Sequence, residues 1–377
     1  MINTVISKIK KLHDLSFRFD FPKSKKILQY DEKSSESLKR AIKMDFDIMP
    51  RRKPVIYFWI FIKQIIFFDF SFNTYFKNYV KFTSAKIIIN LIDNNLNYYT
   101  LKKHLPSVIF ISIQNGNRDY TTWMFQKKRK RIKNSSFYKN MECDHFFTFN
   151  KYYIKQYKNI IKSKFHVLGN FQSNSIKVNK TKYKSSFLFI SQGMQKWHMR
   201  IGISNKLHQF ISYYFSNYNR KIHILLKNKT DLGRTKEIDF YKKFYNSNCV
   251  FLKSNSVQQS YKILDKYENI IFTNSTLGYE SIGRKKKIVV FPVNKDRIDK
   301  KVFGWPKKYQ KQNYNFFSIN KLTYTEIKRV LDNVYNCKQE DWEKKHYRNI
   351  SDLMYFDKSN SRLQKTINNI LKNLEVN

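Results

Sequence analysis

The sequence predicts an α/β protein with two domains, each built on a parallel sheet. Short runs rich in Ile, Val and Phe alternate with helical patterns along most of the chain, as in parallel α/β folds. The length of 377 residues exceeds the roughly 100 to 200 residues that one core usually organises. With 41% hydrophobic residues and 17% aromatic residues, the composition can fill a large core and excludes a disordered chain.

Five strands are predicted in each half. They cover residues 26–30, 86–92, 107–113, 145–149 and 165–168, and then 187–190, 222–226, 250–252, 270–273 and 288–291. Polar or Gly-containing residues follow the strands of the first half, where strands pass into loops. In open α/β sheets these carboxyl-terminal strand ends line the ligand crevice.

The domain boundary is predicted at a polar, basic stretch without apolar periodicity, 172–186, which we interpret as an interdomain linker. It separates an N-terminal domain, 1–171, from a C-terminal domain, 187–322. Residues 323–377 carry two helical patterns, the first beginning with a capping box of Thr323 and Glu326.

Between the strands of the second half, apolar residues recur at helical spacing. One stripe contains Leu207, Ile211 and Tyr214, and another contains Val257, Tyr261 and Leu264. We expect both stripes to pack in the core.

One apolar segment raises the question of a membrane. Residues 54–70, PVIYFWIFIKQIIFFDF, follow a basic run but are interrupted by Lys63 and Gln64, and Asp69 interrupts the apolar residues near the end. The segment is shorter than the roughly 20 apolar residues of a spanning helix. A buried helix is the favoured interpretation, and a helix lying in an anionic lipid interface is the alternative.

The formal net charge of +45 directs attention to anionic partners: nucleic acid, an acidic membrane or a phosphorylated substrate. The abundance of Lys, Asn, Ile, Phe and Tyr is also typical of an AT-rich genome, so the charge alone selects none of them.

No metal or disulfide pattern is present in the sequence. The three cysteines are far apart, and no pair of the eight histidines has ligand spacing, so neither a zinc site nor a disulfide framework is predicted. Nucleophile-elbow, Walker A and dinucleotide fingerprints are absent as well. The first residues lack a signal-peptide pattern, which favours the cytoplasm.

The most informative stretch runs from Tyr267 to Pro292, YENIIFTNSTLGYESIGRKKKIVVFP. A strand leads into Asn274, Ser275 and Thr276 at the start of a helix. Hydroxyl groups and free amides at a helix N-terminus bind phosphates, and Glu280 lies one turn further, where it could accept hydrogen bonds from ribose. Helix capping by the two hydroxyl residues is the simpler alternative.

The same stretch resembles GT-B-fold glycosyltransferases, in particular bacterial lipopolysaccharide and capsule biosynthesis proteins, whose second domain carries an S-T-L-G-Y-E motif. Residues 275–280 match that motif, and residues 92–95 (IDNN), 113–116 (IQNG) and 191–193 (SQG) resemble strand ends of the same group. The likeness covers about residues 25–295. Two departures are Glu268 in place of the usual Asp and Lys227-Asn228-Lys229 in place of a basic residue followed by Pro.

The resemblance implies two Rossmann-like domains facing a cleft, with the acceptor on the first and a nucleotide sugar on the second. It assigns nucleotide binding to nine residues: Ser191, Gln192, Gly193, Lys227, Asn274, Ser275, Thr276, Gly278 and Glu280. Gly278 would allow the backbone to approach the ligand, and Lys227 would offset leaving-group charge. No cofactor and no metal are required in such an arrangement.

Asp93 is the favoured general base because it follows a strand facing the cleft. Asp119, Asp31 and Glu32 are its competitors, and a helix-capping role for Asp93 is the alternative. Asn115 is a further candidate catalytic residue that could instead shape a turn together with Gly116, and His198 near Arg200 could face the nucleotide or lie on the surface.

The resemblance implies a glycosyltransferase that moves a sugar from a nucleotide donor onto a surface glycan or lipid-linked acceptor, and its likeness to capsule transferases implies a CMP-linked acidic sugar as one such donor. We expect it at the inner face of the cell membrane, where it could contact anionic lipid. The alternative is a nucleic-acid-binding protein that uses residues 127–131 (KKRKR) beside Trp123, Phe125 and Phe137. Because basic residues are dispersed and no nucleic-acid-binding motif is present, that alternative is less favoured.

Overall fold

The computed structural model describes residues 16–52, 55–117, 141–193, 204–245, 248–294, 297–298, 305–309 and 315–376. Two parallel sheets organise these residues, one in each half of the sequence. The ten predicted strands are all present, with ends that differ by a few residues from the predicted ones.

The first sheet has six strands in the order β3-β2-β5-β6-β7-β8, and all neighbours are parallel. Its strands are β2 (Ile27–Gln29), β3 (Asp47–Ile48), β5 (Ile87–Asn90), β6 (Ile109–Ile113), β7 (Glu142–Thr148) and β8 (Lys162–Val167). A separate parallel pair joins β1 (Ser16–Arg18) to β4 (Val55–Tyr57).

Helices cover the first sheet. They are α1 (Ser35–Ile42), α2 (Phe58–Ile66), α3 (Phe72–Thr83), α4 (Leu96–Leu101), α5 (Lys151–Tyr157) and α6 (Phe171–Asn174). All four residues of β5 are buried, because helices on both faces leave a parallel strand no solvent side.

The second sheet has five parallel strands in the order β11-β10-β9-β12-β13. They are β9 (Tyr183–Ile190), β10 (Ile222–Leu225), β11 (Cys249–Leu252), β12 (Tyr267–Phe272) and β13 (Lys287–Val290), and a short antiparallel pair follows, β14 (Val293–Asn294) with β15 (Arg297–Ile298). The sequence order reverses on either side of β9, which makes the carboxyl ends near β9 a topological switch point where ligands bind.

Four helices connect the strands of the second sheet: α7 (Asn205–Asn217), α8 (Asp231–Lys242), α9 (Val257–Asp265) and α10 (Thr276–Gly283). Beyond them lie α11 (Tyr324–Asn336), α12 (Gln339–Asp341), a π-helical segment (Trp342–Tyr347), α13 (Arg348–Ile350) and α14 (Ser361–Val376). As predicted, the Thr323 hydroxyl caps α11 by accepting a hydrogen bond from the Glu326 amide at 3.4 Å.

The C-terminal helices do not form a unit of their own. Leu331 of α11 packs in the core of the second sheet, whereas Leu363 and Ile367 of α14 pack with Ile27 and Leu38 of the first. The chain therefore returns to the first half after completing the second.

The predicted linker, 172–186, was too long. Residues 172–174 belong to α6 and residues 183–186 to β9, so the connection between them is short. Arg284 ties it down: its guanidinium forms a buried bidentate pair with Asp265, with both distances 2.8 Å, and donates to the carbonyl oxygens of Ser173 and Ile176 at 2.8 and 3.0 Å. The polar sequence of residues 172–186 gave no indication of these contacts.

A second connection between the halves runs beside the first. Gly169 has a φ of +84°, and a Cβ there would lie 2.1 Å from the Tyr355 carbonyl oxygen. Asn174 donates to the Asn360 side chain at 3.1 Å, and Asn360 donates to the Phe171 carbonyl at 2.9 Å. The two chain segments that join the halves are thus hydrogen-bonded to each other.

The segment 54–70 differs from its favoured interpretation as a buried helix. It forms β4 and α2, and within α2 only Ile60 and Gln64 are buried. Within the part of the chain that the structure describes, no helix is long and apolar enough to cross a membrane.

Candidate functional site

A cavity of about 380 Å³ lies where the carboxyl ends of β9, β10, β11 and β12 meet the first half of the molecule. The second sheet supplies most of its wall, and Asn115, Asn170 and Gln172 supply the opposite side. The polar strand ends thus come together, as their position after parallel strands predicts.

The N-terminus of α10 forms one side of the cavity through Ser275, Thr276 and Leu277. The preceding helices α7, α8 and α9 are capped by hydroxyls of Ser204, Thr230 and Ser256, but Ser275 makes no side-chain capping bond. Simple capping therefore does not account for Ser275. The first turn of α10 presents its amides and the positive end of its dipole to the cavity, which suits a phosphate.

Ser191, at the end of β9, is buried and lies in the cavity wall. Its hydroxyl donates to the Glu237 carboxylate and accepts hydrogen bonds from the Gly193 amide at 3.0 Å and the Tyr241 hydroxyl at 2.9 Å. Ser191 is thus held by three partners. These bonds fix the loop after β9, and contact with a nucleotide stays a prediction for Ser191.

Glu237 of α8 is fully buried and joins the loops after β9 and β10. In addition to Ser191, it accepts hydrogen bonds from the amides of Lys227 and Asn228, both at 3.0 Å, and from the Asn228 side chain at 2.8 Å. A buried carboxylate with these donors fixes the backbone on which Lys227 stands.

Lys227 and Lys229 bring positive charge to the cavity. Desolvation lowers the pKa of Lys227, and the nearby Glu237 carboxylate opposes that shift. Gly193 packs against this lysine: its φ is +78°, and a Cβ there would lie 3.3 Å from Lys227 Cδ. Lys227 and Gly193 are therefore neighbours, and their binding of a phosphate stays a prediction.

Glu280 is buried in the cavity wall and is held from two sides. It accepts hydrogen bonds from Asn170 Nδ2 at 2.7 Å and from the Tyr261 hydroxyl at 2.6 Å. Burial raises the pKa of Glu280 to about 7, against the opposing effects of the Tyr261 hydrogen bond and the Arg284 charge. A carboxylate has about four acceptor sites, so it can accept further hydrogen bonds from hydroxyls of a ligand.

The first half contributes the strand end of β6, residues 114–117. Gln114 donates to the Gly116 carbonyl at 3.0 Å and accepts from the Phe149 amide at 2.9 Å, so its side chain fixes the chain direction after β6. Asn117 donates from its amide to the Thr276 hydroxyl at 3.4 Å. The structure therefore brings Asn115 and Thr276 to one cavity from opposite halves.

Asp93 does not face this cavity, contrary to the prediction. It is fully buried, and its carboxylate accepts hydrogen bonds from the Asn115 amide at 3.3 Å and the Tyr157 hydroxyl at 2.8 Å. It does not cap α4 either, since Asn95 occupies that position. Asp93 supports the loop that carries Asn115, and a carboxylate so enclosed cannot reach an acceptor hydroxyl.

The competitors Asp31 and Glu32 are engaged at the end of β2. Asp31 accepts from Arg52 Nε at 2.7 Å, and Glu32 accepts from the Arg52 amide at 3.0 Å. Neither is among the residues that line the cavity.

Four predicted nucleotide residues lie near the cavity but outside its lining: Gly193, described above, and Gly278, Gln192 and Asn274. Gly278 approaches the Phe272 ring, where a Cβ would lie 2.1 Å from Cγ, so its close approach is to the protein and not to a ligand. Gln192 lines a small neighbouring cavity, and Asn274 is half-buried between Thr273 and Ser275.

Several predictions concern residues outside the described ranges: Asp119, His198, Arg200, the basic run 127–131, and the aromatic residues Trp123, Phe125 and Phe137. Among the residues that are described, no three His, Cys, Asp or Glu side chains come together as a metal ion would require.

Sequence reasoning missed several cavity residues. Val257 and Tyr261 were assigned to a core stripe, but both line the cavity, with Ser254 and Ser260 beside them. Asn170 was predicted only as one of the polar residues that follow the strands of the first half. Glu237, which supports the loops beside the cavity, was not predicted, and its only signal was an acidic residue within a helix that follows a strand.

Comparison with known proteins decides the family. A family model described as "putative O-antigen biosynthesis protein" matches residues 111–371, more than half of the chain. The chain belongs to this family. None of the curated proteins compared matches the O-antigen family protein in sequence.

Solved structures share its fold at low identity. UDP-GlcNAc 2-epimerase from Neisseria meningitidis, solved with UDP-GlcNAc, is 11% identical with a TM-score of 0.55, over 91% of this chain and 99% of that one. The epimerase from Methanocaldococcus jannaschii, solved with UDP-GlcNAc and UDP, is 13% identical with a TM-score of 0.50, over 94% and 99%.

The wall teichoic acid polymerase TagF, as an H444N variant, is 12% identical with a TM-score of 0.53, over 99% of this chain and 97% of that one. These likenesses confirm the predicted GT-B-like arrangement of two Rossmann-like domains. Together with the family match, they confirm the predicted class, a GT-B-like surface carbohydrate biosynthesis protein.

Proposed function

We propose that this O-antigen family protein is a glycosyltransferase that moves a sugar from a nucleotide-sugar donor to a glycan or lipid-linked acceptor. One observation carries the proposal: a single cavity at the switch point of the second sheet combines a helix N-terminus, two lysines and a buried carboxylate. Such a set of groups matches the phosphate and the ribose of one nucleotide.

The donor's phosphate is assigned to the N-terminus of α10, with Ser275 and Thr276 as hydrogen-bonding groups and Lys227 as counter-charge. Glu280 is assigned to the ribose hydroxyls. The wall of Ser254, Val257 and Ser260 offers an apolar surface and small hydroxyls, which suit a nucleobase.

Transfer breaks the bond between the sugar and the phosphate oxygen, and negative charge develops on that oxygen. The helix dipole and the Lys227 ammonium stabilise this charge in a site that is partly shielded from water. They can do so without a metal ion, so we propose a metal-independent reaction.

The acceptor hydroxyl needs a base or an equivalent hydrogen-bond acceptor. Because Asp93 is enclosed, we keep Asp119 as the proposed base; it follows Asn117 by two residues, and Asn117 contacts the cavity wall through Thr276. A lipid-linked acceptor would place the reaction at the inner face of the cell membrane, which is part of the same proposal.

The first experiment is thermal unfolding of the purified full chain with CMP, UDP or GDP. We expect one of them to raise Tm by several degrees at saturation, because a ligand bound only to the folded state stabilises it. A double variant, Ser275→Ala with Thr276→Val, should lose most of that rise, whereas Ser256→Ala, at the cap of α9, should keep it.

The second experiment incubates the sugar derivatives of the stabilising nucleotide, including a CMP-linked acidic sugar, with and without acceptor extracts. Acceptor-dependent release of nucleotide supports the transferase. Conversion of UDP-GlcNAc to its 2-epimer without acceptor would replace the proposal by an epimerase, which some structural neighbours are. Oligonucleotide binding that falls with salt, without any nucleotide response, would replace it by nucleic-acid binding.

A further inference from the structure

Exposed apolar side chains are concentrated in one region of the first half. Of the seventeen large apolar residues exposed among the described ones, ten lie between positions 17 and 72. They are Phe17, Phe19, Phe21, Trp59, Ile65, Ile66, Phe67, Phe68, Phe70 and Phe72. Scattered exposed apolar residues need no explanation, but a concentration of this kind marks an interaction surface.

These side chains form one surface, which we call the aromatic face. The ring of Phe61 on α2 lies 6.0 Å from that of Phe17 and 6.2 Å from that of Phe70. On the other side of α2, Phe21 stacks on Trp59 at 5.9 Å and approaches Phe82 at 5.4 Å. The rings therefore join β1, α2 and the turn after α2.

The last residue of α2 and the turn after it present large apolar side chains to solvent. Ile66, Phe67 and Phe68 are 62%, 72% and 87% exposed. Phe68 also has a φ of +48°, in the left-handed region that bulky residues rarely adopt. The left-handed residue ends α2, since the Asp69 amide donates to the Gln64 carbonyl and the Phe68 amide to the Ile65 carbonyl, both at 3.1 Å. This helix end needs no aromatic ring at position 68, so the exposed ring points to an external partner.

The charge around the aromatic face is positive. Residues 16–23 and 55–83 contain five Lys and Arg but two Asp. Arg18 stands between Phe17 and Phe19 in the sequence, and the Lys63 ammonium lies over the Phe82 ring at 4.5 Å. One of the acids, Asp69, is occupied by the Thr74 hydroxyl and the Ser71 amide.

The aromatic face reaches the edge of the first sheet at which the cavity opens. The Arg51 guanidinium lies 4.3 Å from the ring of Tyr30, which follows β2, and 4.7 Å from the ring of Phe72. The carboxyl ends of the parallel strands β2 and β6 lie on the same edge, and Asn115 follows β6.

We propose that the aromatic face docks on an anionic lipid bilayer, with α2 lying in the interface and the rings inserted among the headgroups. A nine-residue helix is about 14 Å long, which fits an interfacial position. Aromatic residues insert at this depth, and the Lys and Arg side chains contact lipid phosphates. A second copy of the chain is disfavoured, because an isologous contact would bring these cations against each other.

Sedimentation with vesicles tests the docking on the full chain. We expect binding to vesicles of equal parts phosphatidylcholine and phosphatidylglycerol, much weaker binding to phosphatidylcholine alone, and loss of binding as salt is raised. The triple variant Ile66→Ser, Phe67→Ser, Phe68→Asn should weaken binding by roughly tenfold or more, because three apolar side chains no longer insert.

The triple variant should fold at least as well as the wild type, since Asn tolerates the left-handed backbone at position 68 and none of the three side chains is buried. Leu232→Ser, which changes a 70% exposed apolar residue on α8, is the matched control and should bind vesicles normally.

Equal binding by the triple variant, or no binding to anionic vesicles, would overturn the docking. The docking would also be overturned if the wild type were a dimer, the triple variant a monomer, and neither bound vesicles. The aromatic face would then belong to a contact between two copies. Vesicle binding needs neither donor nor acceptor, so its result and that of the nucleotide proposal are separate.

Discussion

Polar residues follow the strands of both sheets, but they have different surroundings at the two carboxyl edges. The first sheet ends in acidic and amide residues, but Asp93 is enclosed by Tyr157 and Asn115, and Asp31 pairs with Arg52. The second sheet ends in Ser191, Lys227, Ser254 and Ser275, and all four open onto the cavity.

The difference lies in where the supporting bonds come from. In the second half a fully buried acid, Glu237, lies behind the strand ends and accepts hydrogen bonds from the backbone amides, and Lys227 lines the cavity. In the first half the acids at the strand ends form the supporting hydrogen bonds themselves. A polar residue at a strand end is therefore a candidate for ligand binding only when another group supports its loop.

Removing Asp93 is the strongest test of this contrast. Asp93→Ala leaves the Tyr157 hydroxyl and the Asn115 amide without their buried acceptor, so we expect a loss of about 3 kcal/mol in the free energy of unfolding. Urea unfolding measures it, and Asp239→Ala, on the exposed side of α8, should change stability by less than about 0.5 kcal/mol. A stable Asp93→Ala protein without transfer activity would restore Asp93 as the base.

Lys227→Met should reduce activity without reducing stability, the reverse of what we expect for Asp93→Ala. We expect kcat of sugar transfer to fall about a hundredfold, equivalent to about 2.7 kcal/mol, because the leaving phosphate loses its counter-charge. Stability should be unchanged or slightly higher, since desolvation already disfavours the charged lysine. Lys236→Met, on the exposed side of α8, is the control. Unchanged kcat in Lys227→Met would remove this residue from the site.

Glu280 gives the most specific effect, a change in the pH dependence of stability. Its folded pKa of about 7 exceeds the ordinary value of 4.5, so the native state retains a proton that the unfolded chain releases. Stability from this group is therefore present below pH 4.5 and is lost as the pH rises to about 7, by at most about 3 kcal/mol.

In Glu280→Gln this loss should disappear. Its amide meets one of the two donors, Asn170 or Tyr261, so the variant should be less stable than the wild type at pH 4.5, and the difference should shrink towards pH 7. Thermal unfolding across this range measures it, with Glu340→Gln as the exposed control. Parallel pH profiles of the wild type and Glu280→Gln would contradict a raised pKa.

Much of the fold could be predicted because its signals are local. Buried parallel strands such as β5, IIIN, are continuous apolar runs, and these can be located in a single sequence. The ends of the linker could not be predicted, because α6 is hydrogen-bonded to Arg284 and Asn360, which are distant in sequence. Local polarity resembles a linker even where long-range hydrogen bonds order it.

The cavity was predictable where it depends on one stretch, residues 275–280, and on the ends of β9 and β10. The role of Asp93 was not predictable, because its partner Tyr157 lies 64 positions away. Tyr261 is buried as predicted, but its contact with the cavity was not predictable, because an aromatic residue at helical spacing has the same pattern in both situations.

The segment 54–70 shows that apolar composition alone does not predict burial. An apolar helix of this kind is usually buried, but α2 has few partners on its outer side and leaves its rings exposed. Hydrophobicity alone does not distinguish a helix covered by protein from one covered by something else.

The return of α14 to the first half affects how this protein is made. Leu363 and Ile367 cover apolar residues of β2 and α1, and Gln364 donates to the Ala41 carbonyl at 2.7 Å. A ribosome produces this covering helix only after the entire second sheet has emerged. The apolar residues of β2 and α1 therefore stay exposed, and accessible to chaperones, until the second half has been translated.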